Sequence, residues 1–397
     1  MAWLWWNDFD KRMCGVWVSE KFDVGDNPIR IFLNIEQTEE GVAVQHDFGG
    51  CIFNRDAFYV EYSDNELYFF HNSRSHRAEY VLTLAGDDLL KCEFSINNCW
   101  GHDGKFEKDI EFARLDRLTD DEYSDLFGKS VVRLKGISRL ALLREYAEYG
   151  DIKPTTEFTY KFDERENMLD IIEKHDLDEL VKGKSDVETA IALMGWLCKH
   201  YKHGNPPDGL PKVRTPQNLM EAADNNEGRI NCRGLSLFLA QLIRAFGIKA
   251  YHVTCMPYEE PFHDCHVVVN VYCESLKKCI LLDPTHNLYL SNDSGEIISI
   301  EELRNALING GNITANADST HWGNDKPATA LDEYKVYMAK NLVRISRCVV
   351  NGYGIDERDN EVRVELIPDK YMQNEARLFD EARQKSFITS RECFWQV

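Results

Sequence analysis

Hydrophobic and polar positions alternate along residues 13 to about 116 in short runs that are typical of β-strands. Clusters of Gly, Asn and Asp separate these runs at hairpin spacing. The pattern predicts eight strands in "CGVWVSE", "IRIFLNIEQ", "GVAVQHDF", "AFYVEYS", "ELYFFHN", "AEYVLTL", "LLKCEFSI" and "DIEFARLD". Short strands joined by tight turns predict a closed antiparallel β-barrel, because closure removes exposed strand edges.

From residue 117 the spacing of apolar residues becomes helical. The stretches "LTDDEYSDLFG" and "SRLALLREYAEYG" predict a helical connector over 117–150. Further on, "SDVETAIALMGWLCKHYKH" predicts a longer helix, because Ser185 and Glu188 have the spacing of a capping box. Its apolar residues also fall on one helical face.

The stretch "GRINCRGLSLFLAQLIRAFGI" predicts an amphipathic helix that begins next to Cys232 and ends near Gly247. A cysteine at a helix start lies beside unpaired backbone N–H groups and the positive end of the helix dipole. Both features favour a thiolate, so Cys232 is a candidate nucleophile. The alternative is that Cys232 is only a small residue that opens a core helix.

Two strands that follow carry the other reactive side chains. "CHVVVNVYCE" predicts a strand beginning at His266, and "KKCILLDPTHN" predicts a strand ending at Asp283. The link "CESLKK" has hairpin length, so the two strands are expected to be antiparallel neighbours. Asp283 would then orient the imidazole of His266 toward Cys232, which gives a Cys–His–Asp triad.

These three motifs, in this order, resemble the transglutaminase-like superfamily, a branch of the papain-like thiol enzymes. The resemblance implies that Cys232 is the nucleophile, His266 the general base and acid, and Asp283 the orienting carboxylate. Many relatives have an aromatic residue soon after the histidine, whereas His266 is followed by Val-Val-Val. The oxyanion hole is expected to use the backbone N–H of Cys232 with Gln217 or Asn231 as a second donor.

The N-terminal strands resemble a lipocalin-like barrel through the Gly15-Val-Trp17 motif on the first strand and "FARLD" on the last. That resemblance implies either a ligand-carrying barrel or a packed accessory barrel filled by its own aromatic side chains. Both possibilities remain open at this point.

Composition narrows the class of function. The chain has 397 residues, with 46 Lys and Arg against 67 Asp and Glu, a formal net charge of −21. Such a chain repels phosphate backbones and anionic membranes, so neither nucleic acid nor membrane is an expected partner. Neither a signal peptide nor a membrane span is predicted. Twelve cysteines without a Cys-x-x-Cys pair indicate a cytoplasmic protein without a disulfide framework.

A metal site is not predicted either. His263, Cys265, His266 and Cys255 are close in sequence, but Cys265 and His266 are neighbours on a strand and must face opposite ways. His252 and His286 are expected to make local hydrogen bonds. No cofactor is implied.

The sequence therefore predicts an α+β protein: an antiparallel lipocalin-like barrel over 1–116, a helical connector over 117–150, a transglutaminase-like catalytic domain over 151–345, and a C-terminal extension over 346–397 that completes it. The predicted function is thiol-dependent acyl transfer on a peptide or protein amide, with hydrolysis favoured over transamidation. The alternative is a non-catalytic module that binds peptides or proteins through the same fold. The sequence does not indicate an oligomeric state.

Overall fold

The computed structural model describes residues 9–24, 27–38, 41–48, 55–57, 59–63, 65–72, 77–99, 102–135, 139–262, 264–321, 324–327, 331–354 and 362–396. The chain divides into two compact units. The first comprises Met1–Leu142 with Glu259–Asp264, and the second comprises Leu143–Tyr258 with Cys265–Val397. Within the described ranges, none of the helices has both the length and the apolar character needed to cross a bilayer.

The first unit is built on antiparallel strands. They are β1 (Gly15–Ser19), β2 (Phe22–Val24), β3 (Asn27–Ile29), β4 (Ile31–Thr38), β5 (Gly41–Phe48), β6 (Arg55–Asp56), β7 (Tyr59–Ser63), β8 (Glu66–Asn72), β9 (Arg77–Gly86), β10 (Leu89–Cys99) and β11 (His102–Arg114). The helices α1 (Asp120–Phe127) and α2 (Arg139–Glu145) follow.

These strands form a nearly closed, barrel-like sheet in the order β6-β5-β4-β1-β11-β10-β9-β8-β7. All pairings in it are antiparallel, and the first long strand, β1, lies between β4 and β11. The hairpin β2–β3 stands outside the sheet. The alternating pattern predicts a closed antiparallel barrel, and the structure has an antiparallel sheet that is barrel-like but only nearly closed; its likeness to lipocalins remains a prediction.

The Gly-x-Trp motif has a packing role at the base of β1. Trp17 is fully buried, and its indole N–H donates to the carbonyl of Met13 at 2.8 Å. The guanidinium of Arg114, on β11, lies 5.1 Å from the Trp17 ring. Gly15 has φ of 138°, and a Cβ there would lie 2.5 Å from the Arg114 guanidinium. Glycine is therefore required for Arg114 to reach the tryptophan.

Aromatic and aliphatic side chains of the strands fill the interior of this sheet. Phe69 and Tyr80 stack with ring centroids 4.4 Å apart, and Tyr80 also contacts Phe94 at 5.2 Å. All three rings are buried. This packing favours an accessory barrel over a ligand carrier.

The second unit contains helices around a mixed sheet. Its helices are α3 (Glu164–Asn167), α4 (Leu169–Lys174), α5 (Leu177–Val181), α6 (Asp186–His200), α7 (Pro216–Asp224), α8 (Cys232–Ala245), α9 (Ile300–Asn309), α10 (Leu331–Asn341), α11 (Asp369–Asn374), α12 (Glu381–Gln384) and α13 (Arg391–Phe394). Its strands are β12 (Thr159–Tyr160), β13 (Lys202–His203), β14 (Arg229–Ile230), β15 (Ala250–Met256), β16 (His266–Cys273), β17 (Lys278–Leu282), β18 (Leu290–Ser291), β19 (Thr314–Ala315), β20 (Thr320–His321), β21 (Asn324–Pro327), β22 (Arg344–Cys348), β23 (Val350–Asn351), β24 (Arg363–Leu366) and β25 (Phe387–Ile388).

The central sheet has the order β17-β16-β15-β22-β24-β25 and is antiparallel except for the last pair. Helix α8 packs against β15 and β16, and α6 and α7 pack against α8. The predicted capping box of α6 is confirmed, because the side chains of Ser185 and Glu188 each accept a bond from the backbone N–H of the other residue. The apolar face predicted for α8 is buried in the main core of this unit.

A buried ion pair anchors the C-terminal end of α8. Arg244 bonds through its Nε to the carboxylate of Glu164, and its other nitrogens donate to the carbonyls of Ala250 at 2.7 Å and Gly352 at 3.2 Å. Glu164 is fully buried and Arg244 nearly so. One guanidinium thus ties together α3, α8, β15 and the segment after β23.

Replacing Glu164 by Ala is expected to destabilise the protein by about 3–5 kcal/mol, because it leaves the Arg244 guanidinium buried without its counter-charge. The free energy of unfolding in urea measures the effect. The matched control is Glu166→Ala on the exposed side of the same short helix, which should change the stability by less than about 0.5 kcal/mol. Equal stabilities of the two variants would contradict this role.

Candidate active site

Cys232 is the first residue of α8. The preceding residue, Asn231, is the N-cap, and its side-chain oxygen accepts the backbone N–H of Gly234 at 3.1 Å. A Cβ at Gly234 would lie 2.5 Å from Ile230, so glycine lets the chain before the cysteine pack onto the first helical turn. The thiol is thus held where the helix presents its unpaired N–H groups and its positive dipole end.

His266 and Asp283 lie at adjacent strand ends. His266 is the first residue of β16, and Asp283 directly follows β17. The two strands are antiparallel neighbours, as the hairpin-length link predicts. His266 Nε2 lies 2.6 Å from Asp283 Oδ2, and both side chains are fully buried. The His266 side chain also lies close enough to the Cys232 thiol to lower the pKa of that thiol. The structure therefore brings Cys232, His266 and Asp283 into one chain of contacts.

The carboxylate of Asp283 is fixed by two more donors. The backbone N–H of Thr285 donates to Oδ1 at 3.0 Å, and the hydroxyl of Tyr334, on α10, donates to Oδ2 at 3.0 Å. Burial alone would raise the pKa of Asp283, but the charge and hydrogen bond of His266 outweigh it and lower the pKa to about 2. Asp283 is therefore ionised and can only accept hydrogen bonds.

A second histidine contacts the thiol. Burial raises the pKa of Cys232, but hydrogen bonds from His203 and His266, and the charges of these two rings, lower it to about 6. Burial lowers the pKa of His266, yet Asp283 and the Cys232 thiolate raise it well above its ordinary value. At neutral pH the resting state is therefore a thiolate–imidazolium pair.

Alkylation of Cys232 by iodoacetamide is expected to follow its thiolate fraction, with a midpoint near pH 6 because that is the pKa that the two histidines set. The rate should rise from pH 5 and level off above pH 7. Peptide mass spectrometry can follow each site. Cys279 is an internal control, since burial raises the pKa of its thiol. In His266→Ala the Cys232 midpoint should move upward, and a Cys232 midpoint at or above pH 8 in the native protein would contradict the ion pair.

The two expected oxyanion donors lie in different surroundings. The amide nitrogen of Gln217 donates to the carbonyl of Asn167 at 2.7 Å and to Asp170 Oδ1 at 3.0 Å, and its oxygen accepts the hydroxyl of Tyr353 at 2.7 Å. Both amide hydrogens are thus used to hold α7 beside α3 and α4, and the structure does not assign Gln217 to the thiol. The Asn231 oxygen is occupied by its capping bond.

Aromatic residues near His266 come from α10 and not from the strand that carries it. Tyr337 packs on His266 with ring centroids 5.3 Å apart, and its hydroxyl donates to the carbonyl of Cys265 at 3.3 Å. Tyr334 packs on His286 at 5.3 Å. In the sequence, the run "EYKVY" places these two tyrosines three residues apart. This helical spacing indicates that they share one face of a helix.

One group of described side chains could hold a metal ion. Ligand atoms of His266, Asp283 and His286 all lie within 4.8 Å of one another, and the three residues are buried. His263 lies outside the described residues. Cys255 pairs opposite His266 across the two strands.

The expected local hydrogen bonds of the other two histidines are present. His286 Nδ1 lies 3.3 Å from the carbonyl oxygen of Thr320. His252 Nε2 lies 3.6 Å from the sulfur of Cys348.

No protein-family model and no curated protein sequence matches the chain. Solved structures that are similar to it include two bacterial proteins. One, from Parabacteroides distasonis, is described as a proposed protease: it is 12% identical with a TM-score of 0.24, and the match covers 50% of this chain and 39% of that one. The other, from Cytophaga hutchinsonii, is described as a proposed cysteine protease: it is 12% identical with a TM-score of 0.24, and covers 76% of this chain and 86% of that one. This chain thus spans well under half of the first protein, and at such TM-scores the function has to be argued from the site.

Proposed function

We propose that this protein is a thiol-dependent acyl-transfer enzyme of transglutaminase-like type that acts on peptide or protein amides, with Cys232, His266 and Asp283 as its triad. The proposal is carried by one observation: the thiol at the start of α8 lies beside a buried histidine, which lowers the pKa of the thiol and is itself 2.6 Å from a buried carboxylate. This order of contacts is the geometry that nucleophilic thiol catalysis requires.

The thiolate of Cys232 attacks the carbonyl carbon, and the π electron pair of the carbonyl moves onto oxygen. When the tetrahedral adduct collapses, the C–N bond breaks and the amine leaves with the proton of His266, which acts as a general acid. A thioester remains on Cys232. Neutral His266 then takes a proton from the incoming water, and the second collapse returns the thiolate. Asp283 holds the ring orientation throughout and does not itself take the proton.

Hydrolysis is the proposed outcome because transamidation requires a channel that keeps water from the thioester. An amine acceptor would otherwise follow the same steps. The partner is a peptide or protein substrate, and the formal charge of −21 argues against nucleic acid. The triad chemistry needs no cofactor.

Turnover of an acyl-donor panel tests the proposal. Activated acetyl esters and a mixed peptide library, each with and without a primary amine, should give acid products in excess of amine adducts. Cys232→Ala protein is the blank. If native protein is alkylated rapidly at Cys232 yet turns over none of these donors, the proposal fails, and the binding-module alternative takes its place.

A further inference from the structure

His203 lies next to the nucleophile through a short parallel ladder. Strand β13 pairs with β14 so that His203 is opposite Ile230, two residues before Cys232. The N–H of Gly204 donates to the carbonyl of Ile230 at 3.2 Å, and Arg229 Nη1 donates to the carbonyl of His203 at 3.1 Å. This register brings the imidazole close enough to the thiol of Cys232 to lower the pKa of that thiol. The backbone on both sides of this contact is therefore fixed.

An oxyanion hole for this reaction needs at least one donor besides the backbone N–H of Cys232. That N–H is in the first turn of α8, where it has no acceptor within the helix. Of the two side chains expected to be the second donor, Gln217 donates its amide hydrogens elsewhere, and Asn231 uses its side-chain oxygen for the helix cap, which leaves its amide nitrogen as a donor. His203 is a described side-chain donor that touches the reacting sulfur.

We infer that His203 donates the second hydrogen bond to the oxyanion that forms when Cys232 attacks a carbonyl, a role that rests on the proposed function. In the resting state its N–H donates to the thiolate sulfur. As the C–S bond forms, the negative charge leaves the sulfur and appears on the carbonyl oxygen bonded to the same carbon. The sulfur becomes a poor acceptor, so the His203 N–H transfers its hydrogen bond to the adjacent oxygen. His266, paired with Asp283, keeps its proton for the leaving amine.

This role differs from simple tuning of the thiol. Alkylation by iodoacetamide displaces iodide and forms no oxyanion, whereas acylation by an ester does. Loss of an oxyanion donor should therefore slow acylation and spare alkylation, once both are measured at a pH where the thiol is fully ionised. Loss of a residue that only lowers the thiol pKa should slow neither reaction at that pH, and loss of a residue that positions the thiol should slow both.

The experiment compares three variants. His203→Phe keeps a ring without an N–H, whereas His203→Gln and His203→Asn keep a side-chain N–H at different distances from the backbone. The full chain is used, and folding is checked by thermal unfolding. His200→Gln is the matched control, since this exposed histidine at the end of α6 bonds through Nδ1 to the carbonyl of Trp196. Single-turnover acetylation of Cys232 by an activated ester and alkylation by iodoacetamide are both measured at pH 9.

Acetylation in His203→Phe is expected to fall about 10²–10³-fold, the usual effect of losing one oxyanion donor. Alkylation should change by less than about threefold, and the better amide variant should recover most of the acetylation rate. Equal losses in both reactions, an unchanged acetylation rate, or no recovery with either amide would overturn the role. Absence of acetylation in the native protein would instead overturn the proposed function, so the two failures are distinguishable.

Discussion

Replacing Cys232 by Ala is expected to abolish acyl transfer, with kcat falling about 10⁶-fold, because the reaction loses the atom that forms the covalent bond. His266→Ala should cost about as much, since nucleophile and base act as one unit and their effects do not add. Both losses are measured as turnover of the best donor from the acyl panel. The double variant should be no worse than either single one.

The controls for these variants test whether the fold is kept and whether the effect is specific to Cys232. Cys232 is only partly buried at the start of α8, so Cys232→Ala should keep the native unfolding temperature. Cys279→Ala, another partly buried cysteine of the same unit, should keep full activity. Turnover retained in Cys232→Ala, or lost equally in Cys279→Ala, would remove Cys232 from the mechanism.

Asp283→Asn is expected to lower kcat about 10⁴-fold while leaving a measurable rate. The asparagine amide would present a donor to His266 Nε2, which forces the wrong tautomer and removes the negative charge that stabilises the imidazolium. The pH dependence of kcat distinguishes this effect on His266 from unfolding. His266 loses its proton on the alkaline limb of the profile, and that limb should move to lower pH. An unchanged alkaline limb would contradict the pairing of Asp283 with His266.

Tyr334→Phe is the matched control for that variant. It removes one of the hydrogen bonds to the same carboxylate but leaves the charge of Asp283 and its 2.6 Å contact with His266. Its effect on kcat should therefore be far smaller than that of Asp283→Asn. Comparable losses in the two variants would indicate that the carboxylate's surroundings, and not its charge, set the rate.

Much of the site follows from local sequence patterns. The heptad-like apolar spacing after Cys232 predicts α8 and its first residue, because a helix buries one face. The β-branched runs joined by "CESLKK" predict that β16 and β17 pair and that His266 and Asp283 meet at their ends. These features depend on contacts close in sequence, which is where periodicity and turn length carry information.

His203 and Tyr334 could not be predicted in the same way. His203 reaches Cys232 through a ladder of only two residues, too short to show any alternation. Tyr334 reaches Asp283 from a helix 51 positions later, and its helical spacing with Tyr337 does not show which side chain it approaches. Gln217 is one of the two predicted second oxyanion donors, but tertiary contacts with Asn167 and Tyr353 direct its amide elsewhere.

In the barrel-like sheet, too, local sequence patterns predict some features and not others. Alternating runs and hairpin turns predict the strands and their antiparallel order. They do not predict that Arg114, almost one hundred residues after Trp17, packs over its ring and excludes any side chain from Gly15. Local spacing does not reveal contacts between β1 and β11, which are far apart in sequence but are neighbours in this nearly closed sheet.

The central claim is that Cys232 forms a thioester with its substrate, and intact-protein mass spectrometry tests it most directly. Native protein is mixed with an activated acetyl ester, quenched in acid within seconds, and digested to locate the acetyl group. The account predicts one acetyl group on Cys232, lost on further incubation at neutral pH and formed far more slowly in His266→Ala. An acetyl group spread over several cysteines or lysines, or placed on Cys232 at the same rate without His266, would contradict it.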